Sequence, residues 1–366
     1  MKRMNLCVLA VALILLVSRA VFGLEYHIMD LGNLGGSESR AYDINKYGQI
    51  VGSAKTSSGK THAFIYQDGM MSDLGTLDGN TSEAFGLNDN GQIVGRAENS
   101  AGARHAFLYE DGAMYDLGTL GGDESYASAI NNNVQIACSS QISTGRWRAA
   151  IYENGQMKKL KTLSGSSWNA TCSDINAYGQ VIGYSDVVGG SPWHAVMWED
   201  DAILDLGTLA GTSKSIGRAI NENGQLVGVS YVKSSKYSGF IYEDGVMSGI
   251  GSLGSNPDWT SANAINNAGQ IVGYSKTTDG QNHAFLYQDG IITDLGTLGG
   301  NTSEAWGIND AGMIVGWAAT AEGEVHAVLW MPSPDGIATT WIRAAITEKV
   351  EALERIDATL EEERAS

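Results

Sequence analysis

The sequence predicts an all-β fold, a seven-bladed β-propeller of four-stranded antiparallel blades. Two observations support this prediction: one unit recurs seven times, and the copies are out of phase with the chain ends. The Asp-Leu-Gly tripeptide and its degenerate versions recur every 43 to 46 residues, at Asp30, Asp73, Asp116, Lys159, Asp205, Gly249 and Asp294. A period of this size is typical of solenoids, propellers and repeat arrays.

Each unit contains four short stretches with strand character, which we label a, b, c and d. In the second unit they cover residues 82–87, 92–96, 105–109 and 113–116. All four are rich in Ile, Val, Phe, Leu and Tyr and are bounded by Gly, Asn or Asp, as strands joined by tight turns usually are. Asn-Asp-Asn-Gly between a and b, and Glu-Asp-Gly between c and d, predict two hairpin turns in each unit.

The two ends of the repeat region complement each other. Residues 25–32 supply a strand d without its a, b and c, and residues 303–330 supply a, b and c without a d. We therefore expect the N-terminal strand to close the ring, which also removes exposed sheet edges. A β-helix is the alternative fold, but its repeats are usually shorter and lack hairpin turns.

The repeated motifs resemble the bacterial extracellular HAF repeats. The naming tripeptide His-Ala-Phe begins at His62, His105 and His283, and its neighbours are Ile-Val-Gly upstream and Asp-Leu-Gly-Thr-Leu downstream. The tripeptide is close to this pattern at two further copies and departs from it at Arg148 and Ser238. The resemblance covers about residues 25–331. It implies a secreted repeat protein and supplies no catalytic residues.

The chain outside the repeats predicts two further segments. Residues 1–23 have the form of a secretory signal peptide, with Lys2 and Arg3 before an apolar core that is too short to span a membrane comfortably. Residues 24–331 form the propeller, and residues 332–366 form a Pro/Gly linker and an amphipathic helix. We expect a secreted monomer, with the periplasm as the alternative location. The helix either packs on the propeller or self-associates as a short coiled coil.

Charge and cysteine content restrict the partners. The formal net charge of −18 argues against nucleic acid and anionic lipid as ligands, because Lys and Arg dominate phosphate binding. Cys138 and Cys172 are the only cysteines of the predicted mature chain, in strand b of one blade and strand a of the next. Export permits a disulfide between them, but we favour two buried free thiols.

Repetition inside the chain separates structural residues from functional ones. A residue that most copies share serves the blade, so we expect each strand c histidine and each Asp of Asp-Leu-Gly to form hydrogen bonds within its own blade. The sequence has no Gly-x-Ser-x-Gly or His-Glu-x-x-His motif, so we predict a protein that is not an enzyme and has no cofactor. Calcium stays an alternative because the loops are rich in Asp and Asn, although no EF-hand ligand run is present.

The connections from b to c and from d to a vary most among the copies. They carry single-copy aromatic residues that we predict to bind a ligand: Trp147, Trp168, Trp193, Tyr237 and Trp259. Exposed aromatic rings suit stacking on sugars or anchoring a protein, and the alternative is that they cover the blade edges. At the channel mouth, aligned strand a positions hold Arg40, Glu83, Tyr126 and Glu304.

These observations favour a secreted, non-catalytic protein that binds an extracellular glycan or protein through its face loops. One alternative is a polysaccharide-active hydrolase or lyase, because a propeller can bring distant carboxylates together at the channel mouth. The other is a structural component of an envelope or biofilm that assembles through the C-terminal helix.

Overall fold

The structure is a computed structural model that describes residues 26–333, except 164, 166–168, 188–191, 234–235 and 256–257. The predicted signal peptide, the predicted C-terminal helix and Trp168 lie outside the described residues. The described part of the chain forms 28 strands and no helix. Residues Ile28–Trp330 make up one compact unit, so the repeats form a continuous all-β body.

Twenty strands form five antiparallel sheets, each of four consecutive strands in chain order. The first two sheets are β6 (Asp78–Leu87), β7 (Ile93–Asn99), β8 (Arg104–Glu110) and β9 (Ala113–Asp116), then β10 (Gly121–Ile130), β11 (Ile136–Ile142), β12 (Trp147–Glu153) and β13 (Gln156–Lys159). The next is β14 (Ala170–Ile175), β15 (Val181–Asp186), β16 (Trp193–Glu199) and β17 (Ala202–Gly207). The last two are β18 (Lys214–Ile220), β19 (Leu226–Lys233), β20 (Lys236–Glu243) and β21 (Val246–Gly249), then β22 (Thr260–Ile265), β23 (Ile271–Lys276), β24 (Asn282–Gln288) and β25 (Ile291–Asp294).

The other eight strands are assigned to one sheet that contains both ends of the repeat region. They are β1 (Tyr26–Asp30), β2 (Gly35–Ile44), β3 (Ile50–Thr56), β4 (Thr61–Gln67), β5 (Met70–Asp73), β26 (Gly299–Ile308), β27 (Ile314–Thr320) and β28 (Val325–Pro332). Strands β2–β5 follow the order of the five sheets above, while β1 pairs with β28 after β26 and β27. A single parallel bridge, Glu38 to Val325, joins the two sets of four. We call each set of four strands a blade.

Strand β1 completes the last blade, as the sequence predicts. The Leu31 amide donates a hydrogen bond of 2.9 Å to the Ala327 carbonyl. The Asp30 carboxylate lies 2.7 Å from Nδ1 of His326. The N-terminal strand therefore occupies the position that strand d has in the other blades, and the repeat region is a β-propeller.

Neighbouring blades pack through apolar side chains. Val51 and Ala63 of one blade contact Ala84, Ile93 and Phe107 of the next, and all five side chains are fully buried. Burial of a large apolar side chain contributes about 1.5–3 kcal/mol, and similar clusters recur at further interfaces. Alternating apolar residues on strands b and c therefore hold the ring together from blade to blade.

Close backbone packing requires the glycine of the Ile-Val-Gly motif. A Cβ on Gly95 would lie 2.0 Å from the Glu83 carbonyl oxygen and 2.9 Å from the Ala84 Cα atom. Strand a bulges beside this position, with a register shift between Ala84 and Gly86. Only a residue without a side chain fits so close to the neighbouring backbone here.

A ring of buried asparagines surrounds the axis at the turns between strands a and b. The side-chain Nδ2 of each donates to the backbone carbonyl of the next at 3.0 to 3.3 Å, and the seven are Asn45, Asn88, Asn131, Asn176, Asn221, Asn266 and Asn309. The bond from Asn309 to Asn45 joins the last repeat to the first, so the ring closes.

Candidate functional site

The strand order gives the propeller two distinct ends. The a–b and c–d turns lie together at one end, which we call the turn face, because Gln92 after strand a donates to Glu110 at the end of strand c. The b–c and d–a connections lie at the opposite end, which we call the loop face. The predicted ligand-binding residues that the structure describes, Trp147, Trp193, Tyr237 and Trp259, belong to the loop face.

The turn face encloses a cavity of about 290 Å³ on the axis, lined by residues from all the a–b turns. Its rim residues bond to one another. Asp89 accepts from the side chain of Asn132 and forms an ion pair of 3.0 Å with Lys46. Asp310 accepts from Asn267 in the same way. These rim groups already have partners within the protein, so they support structure at this end.

The repeated histidines are also structural, as the sequence predicts. Each contacts, through Nδ1, the carboxylate at the end of strand d in its blade, at 2.7 to 2.9 Å; the pairs are His62–Asp73, His105–Asp116, His194–Asp205, His283–Asp294 and His326–Asp30. Each of these Asp residues also accepts a backbone N–H two residues later. The two blades that have Arg148 or Ser238 in place of the histidine have Lys159 and Gly249 in place of the aspartate.

The loop face carries a continuous group of aromatic rings that we call the aromatic strip. It consists of Tyr184, Trp193, Tyr231, Tyr237, Trp259 and Tyr274. Successive ring centroids lie 5.6 to 6.4 Å apart, in tilted or edge-to-face arrangements, which aromatic pairs prefer. The strip crosses three consecutive blades, from β15 to β23, and every ring is partly exposed.

Strand register explains why these rings meet. Tyr231 and Tyr237 are direct Cα partners in the β19–β20 pair, so their side chains lie on the same face of the sheet. Trp259 lies in the d–a connection before β22, and its amide donates to the Tyr237 carbonyl at 2.6 Å. Its φ of 80° is in the left-handed region, which is rare and strained for a bulky residue. The fold therefore holds Trp259 against Tyr237.

The structure groups most of the predicted aromatic residues. Trp193, Tyr237 and Trp259 belong to the strip. Trp147 lies on the preceding blade, where its ring packs on Tyr126 with centroids 5.3 Å apart. Sequence analysis missed the three tyrosines of the strip, because it looked for single-copy residues in the connections and not within strand b. The position after Ile-Val-Gly, which holds Tyr184 and Tyr274, would have revealed two of them.

The four predicted channel-mouth residues have different environments. Glu83 accepts from Arg96, with Nε to Oε2 at 2.6 Å, so its carboxylate is engaged in an ion pair. Burial raises the pKa of Glu304, against the opposing influence of hydrogen bonds and nearby arginines. The Arg40 guanidinium lies over the Trp317 ring, 5.6 Å from its centroid. Burial also raises the pKa of Tyr126.

Cationic side chains cover tryptophan rings on this face and in the channel beneath it. Lys214 Nζ lies 3.8 Å from the centroid of Trp193, and Lys276 Nζ lies 4.5 Å from that of Trp259. Deeper along strand a, the Arg218 guanidinium lies 5.7 Å from the Trp306 ring across the channel. Such contacts are stabilising, and more so when water is excluded.

Two partly buried carboxylates lie further along strand a. Asp43 accepts backbone N–H groups from Ile44 and from Leu87 of the next blade, at 2.8 and 3.0 Å. Asp174 makes the equivalent bonds to Ile175 and Ile220. Burial raises the pKa of Asp43 to about 6 and that of Asp174 to about 7. In the other blades this position is Gly or Ala, so these two carboxylates are particular to their blades.

The cysteines follow the preferred prediction. Cys138 in β11 and Cys172 in β14 are buried free thiols, and the disulfide alternative is not formed. Cys172 Sγ donates to the Ala150 carbonyl at 3.6 Å. Burial raises the pKa of Cys172 to about 12 and raises that of Cys138 as well. Both are therefore protonated and unreactive at neutral pH.

Among the described residues, no three His, Cys, Asp or Glu side chains are grouped so as to hold a metal ion. Calcium therefore stays an alternative without a located site. No helix within these residues is long and apolar enough to cross a membrane.

Comparison with known proteins identifies the fold. No protein-family model and no curated protein matches the sequence. The β-propeller domain of the Trilobed protease from Pyrococcus furiosus is similar at a TM-score of 0.52 and 11% identity, over 80% of this chain and 95% of that one. A Mycobacterium tuberculosis puromycin-hydrolyzing peptidase has a TM-score of 0.55 and 11% identity, over 81% of this chain and 51% of that one.

TolB from Acinetobacter baumannii is similar at a TM-score of 0.42 and 12% identity, over 60% of this chain and 52% of that one. This chain thus spans about half the length of the TolB and peptidase chains. At 11% identity, the similarity to the protease and peptidase propellers shows the fold alone, and that fold is the β-propeller.

Proposed function

We propose that this protein is a secreted, seven-bladed β-propeller that binds an extracellular glycan or protein through its loop face, without catalysis. The count of seven treats β2–β5 and the set closed by β1 as separate blades, since one bridge alone joins them. The ring of seven asparagines supports the same count.

The aromatic strip is the observation that carries the binding function. Its rings are partly exposed, lie on one face and occupy positions that are aromatic in only some of the blades. Blade packing needs no such residues, because the equivalent position after Ile-Val-Gly is Ser53 in one blade and Ser139 in another. Tyr and Trp concentrate at recognition surfaces because each offers a large apolar area and a polar group.

Glu304 supports the hydrolase alternative. Its carboxyl group is partly buried at the channel mouth with a raised pKa, as a general acid requires. Glu83 lacks this property, because Arg96 holds it in an ion pair. One carboxyl group with a raised pKa does not complete the pair that glycoside hydrolysis uses, so we favour binding.

A glycan array tests this function, with reducing-sugar release followed on every hit. We expect binding without release, and we expect Trp193→Ala and Trp259→Ala each to weaken it by about tenfold or more. Tyr178→Ala is the matched control, because Tyr178 is an exposed ring of the turn face, and it should bind as wild type. Unchanged binding in both tryptophan variants would contradict the loop-face site. Sugar release that Glu304→Gln abolishes would establish the hydrolase instead.

A further inference from the structure

We infer that the ligand of the loop face is an anionic glycan, whose carboxylate or sulfate groups bind at the lysine and arginine side chains that cover tryptophan rings. This inference rests on the proposed function and names the chemical class of its ligand. Four cations define the site: Arg40, Lys214, Arg218 and Lys276.

These four cations have no carboxylate within 4.0 Å among the described residues. Elsewhere in the same part of the chain, Lys46, Lys158 and Arg96 each form an ion pair with a carboxylate. The formal net charge is −18, so carboxylates are plentiful. Cations held against tryptophan rings, away from carboxylates, keep their charge for an external anion.

Unsatisfied hydrogen-bond donors occur at two of these cation–tryptophan pairs. Nε1 of Trp193 and Nε of Arg218 are buried and have no hydrogen-bond partner among the described residues. Both groups donate and neither can accept. A buried polar group without a partner costs free energy, so the site is suited to a ligand rich in acceptor oxygens.

The carboxylates beside the strip are already engaged. Asp258 forms an ion pair of 2.7 Å with Lys236, and Asp186 accepts from the Asn169 amide at 3.0 Å. Glu304 lies deeper, beside Arg40 and Arg218, whose two positive charges exceed its own. The local charge around the tryptophans is therefore positive within an acidic protein.

The placement of these donors favours a glycan over an acidic protein surface. Arg218 and Trp306 face each other across the channel, below Lys214, which is four residues nearer the rim on the same strand. Burial and the neighbouring Tyr274 raise the pKa of Tyr237, and the charge of Glu304 adds to this. A sugar chain is narrow enough to contact donors at successive positions along strand a, whereas a folded protein surface is not.

Binding to paired polysaccharides tests the inference. The probes are polygalacturonate and its fully methyl-esterified form, then dextran sulfate and neutral dextran, each at low and high salt. We expect the charged member of at least one pair to bind, its neutral counterpart to bind at least tenfold more weakly, and salt to weaken the binding. Affinity for polygalacturonate would assign the group recognised to carboxylate, and affinity for dextran sulfate would assign it to sulfate.

Variants localise the effect. Lys214→Met with Lys276→Met removes two charges and keeps apolar chains on the rings, and we expect at least tenfold weaker binding of the charged probe. Lys158→Met is the control, because Lys158 is exposed and remote in sequence from the strip. Equal affinity for charged and neutral members would overturn the anionic ligand and leave the proposed function intact. Equal binding of polyglutamate would overturn the glycan. No binding of any of these polysaccharides would overturn this inference and leave a protein as the ligand of the proposed function.

Discussion

The turn face and the loop face are built from the same repeats but use them in opposite ways. On the turn face, the same asparagine returns in every repeat, and the Asn221 side chain makes four hydrogen bonds within the protein. On the loop face the side chains differ between blades, and Nε1 of Trp193 is buried without a hydrogen-bond partner among the described residues. Repetition thus marks the end that holds the ring together, and variation marks the end that is available to a ligand.

The hydrogen bonds of the turn face also extend outwards from the axis along each blade. Gln225 accepts from Asn221 at 2.7 Å and donates to Glu243 at 2.8 Å, and equivalent chains of bonds run through most of the other blades. The last blade has Met313 in place of the glutamine, and Met313 bonds to Asn309 through its backbone N–H and carbonyl alone. The polar side chains of the turn face therefore form hydrogen bonds from the axis outwards. On the loop face, by contrast, a buried donor has no partner among the described residues.

The largest effect should come from breaking the asparagine ring. Asn221→Ala removes the partners of two backbone amides, one glutamine side chain and the Asn266 carbonyl. At about 1 kcal/mol for each bond, we expect a loss of about 4 kcal/mol in the free energy of unfolding, measured by chemical denaturation. Tyr178→Ala, on the same face, should change it little. A loss below about 1 kcal/mol would show that the ring follows the fold rather than stabilising it.

A smaller effect should come from the partly buried carboxylates between the two faces. The folded-state pKa of Asp174, about 7, exceeds that of an unfolded aspartate, about 3.9. The folded protein therefore binds the extra proton between these values, and its stability falls as pH rises from about 4 to 7. We expect Asp174→Asn to gain stability relative to wild type over this range, by less than about 4 kcal/mol at pH 7, because the full shift corresponds to that value and the carboxyl group is partly exposed.

The measurement is the free energy of unfolding of wild type and variant at several pH values. Asp43→Asn should likewise gain stability relative to wild type, over a pH range that ends nearer pH 6. Asp201→Asn is the control, because Asp201 is an exposed surface residue. A difference between wild type and Asp174→Asn that does not change with pH would mean that Asp174 titrates normally.

The smallest effect concerns the two thiols. Because both are buried with raised pKa values, we expect a thiol reagent to label neither Cys138 nor Cys172 in the folded protein. Both should react after unfolding without a reductant. The readout is intact mass before and after denaturant. No labelling of the unfolded chain would mean that the two sulfurs form a disulfide.

The sequence predicted the propeller, its closing strand and the role of the repeated histidines because each depends on a pattern that recurs along the chain. The Asp-Leu-Gly spacing set the period, and the incomplete units at the two ends placed β1 beside β28. The asparagines of the ring are equally repeated, but the sequence pattern indicates only their role in the turns. Their second role, in bonding to the next blade, depends on neighbours 43 to 45 residues away and, where the ring closes, 264 residues away.

The candidate site was predicted in part. The sequence could select Trp193, Tyr237 and Trp259 as single-copy aromatic residues, and the structure brings them together. It could not place Lys214 over Trp193 or Arg218 opposite Trp306, because these pairs come from different blades whose side chains approach across the ring. The sequence also could not distinguish the chemical states of Glu83 and Glu304. Arg96 holds Glu83 in an ion pair, whereas burial raises the pKa of Glu304.

The sequence by itself determined the repeat, the strand order and the closure of this protein, because local hydrophobic alternation and turn residues act within each unit and are copied in every unit. Only the tertiary structure decided which charges stay unpaired and which donors stay unsatisfied. Those properties depend on distances between side chains of different blades, and the closed ring sets these distances.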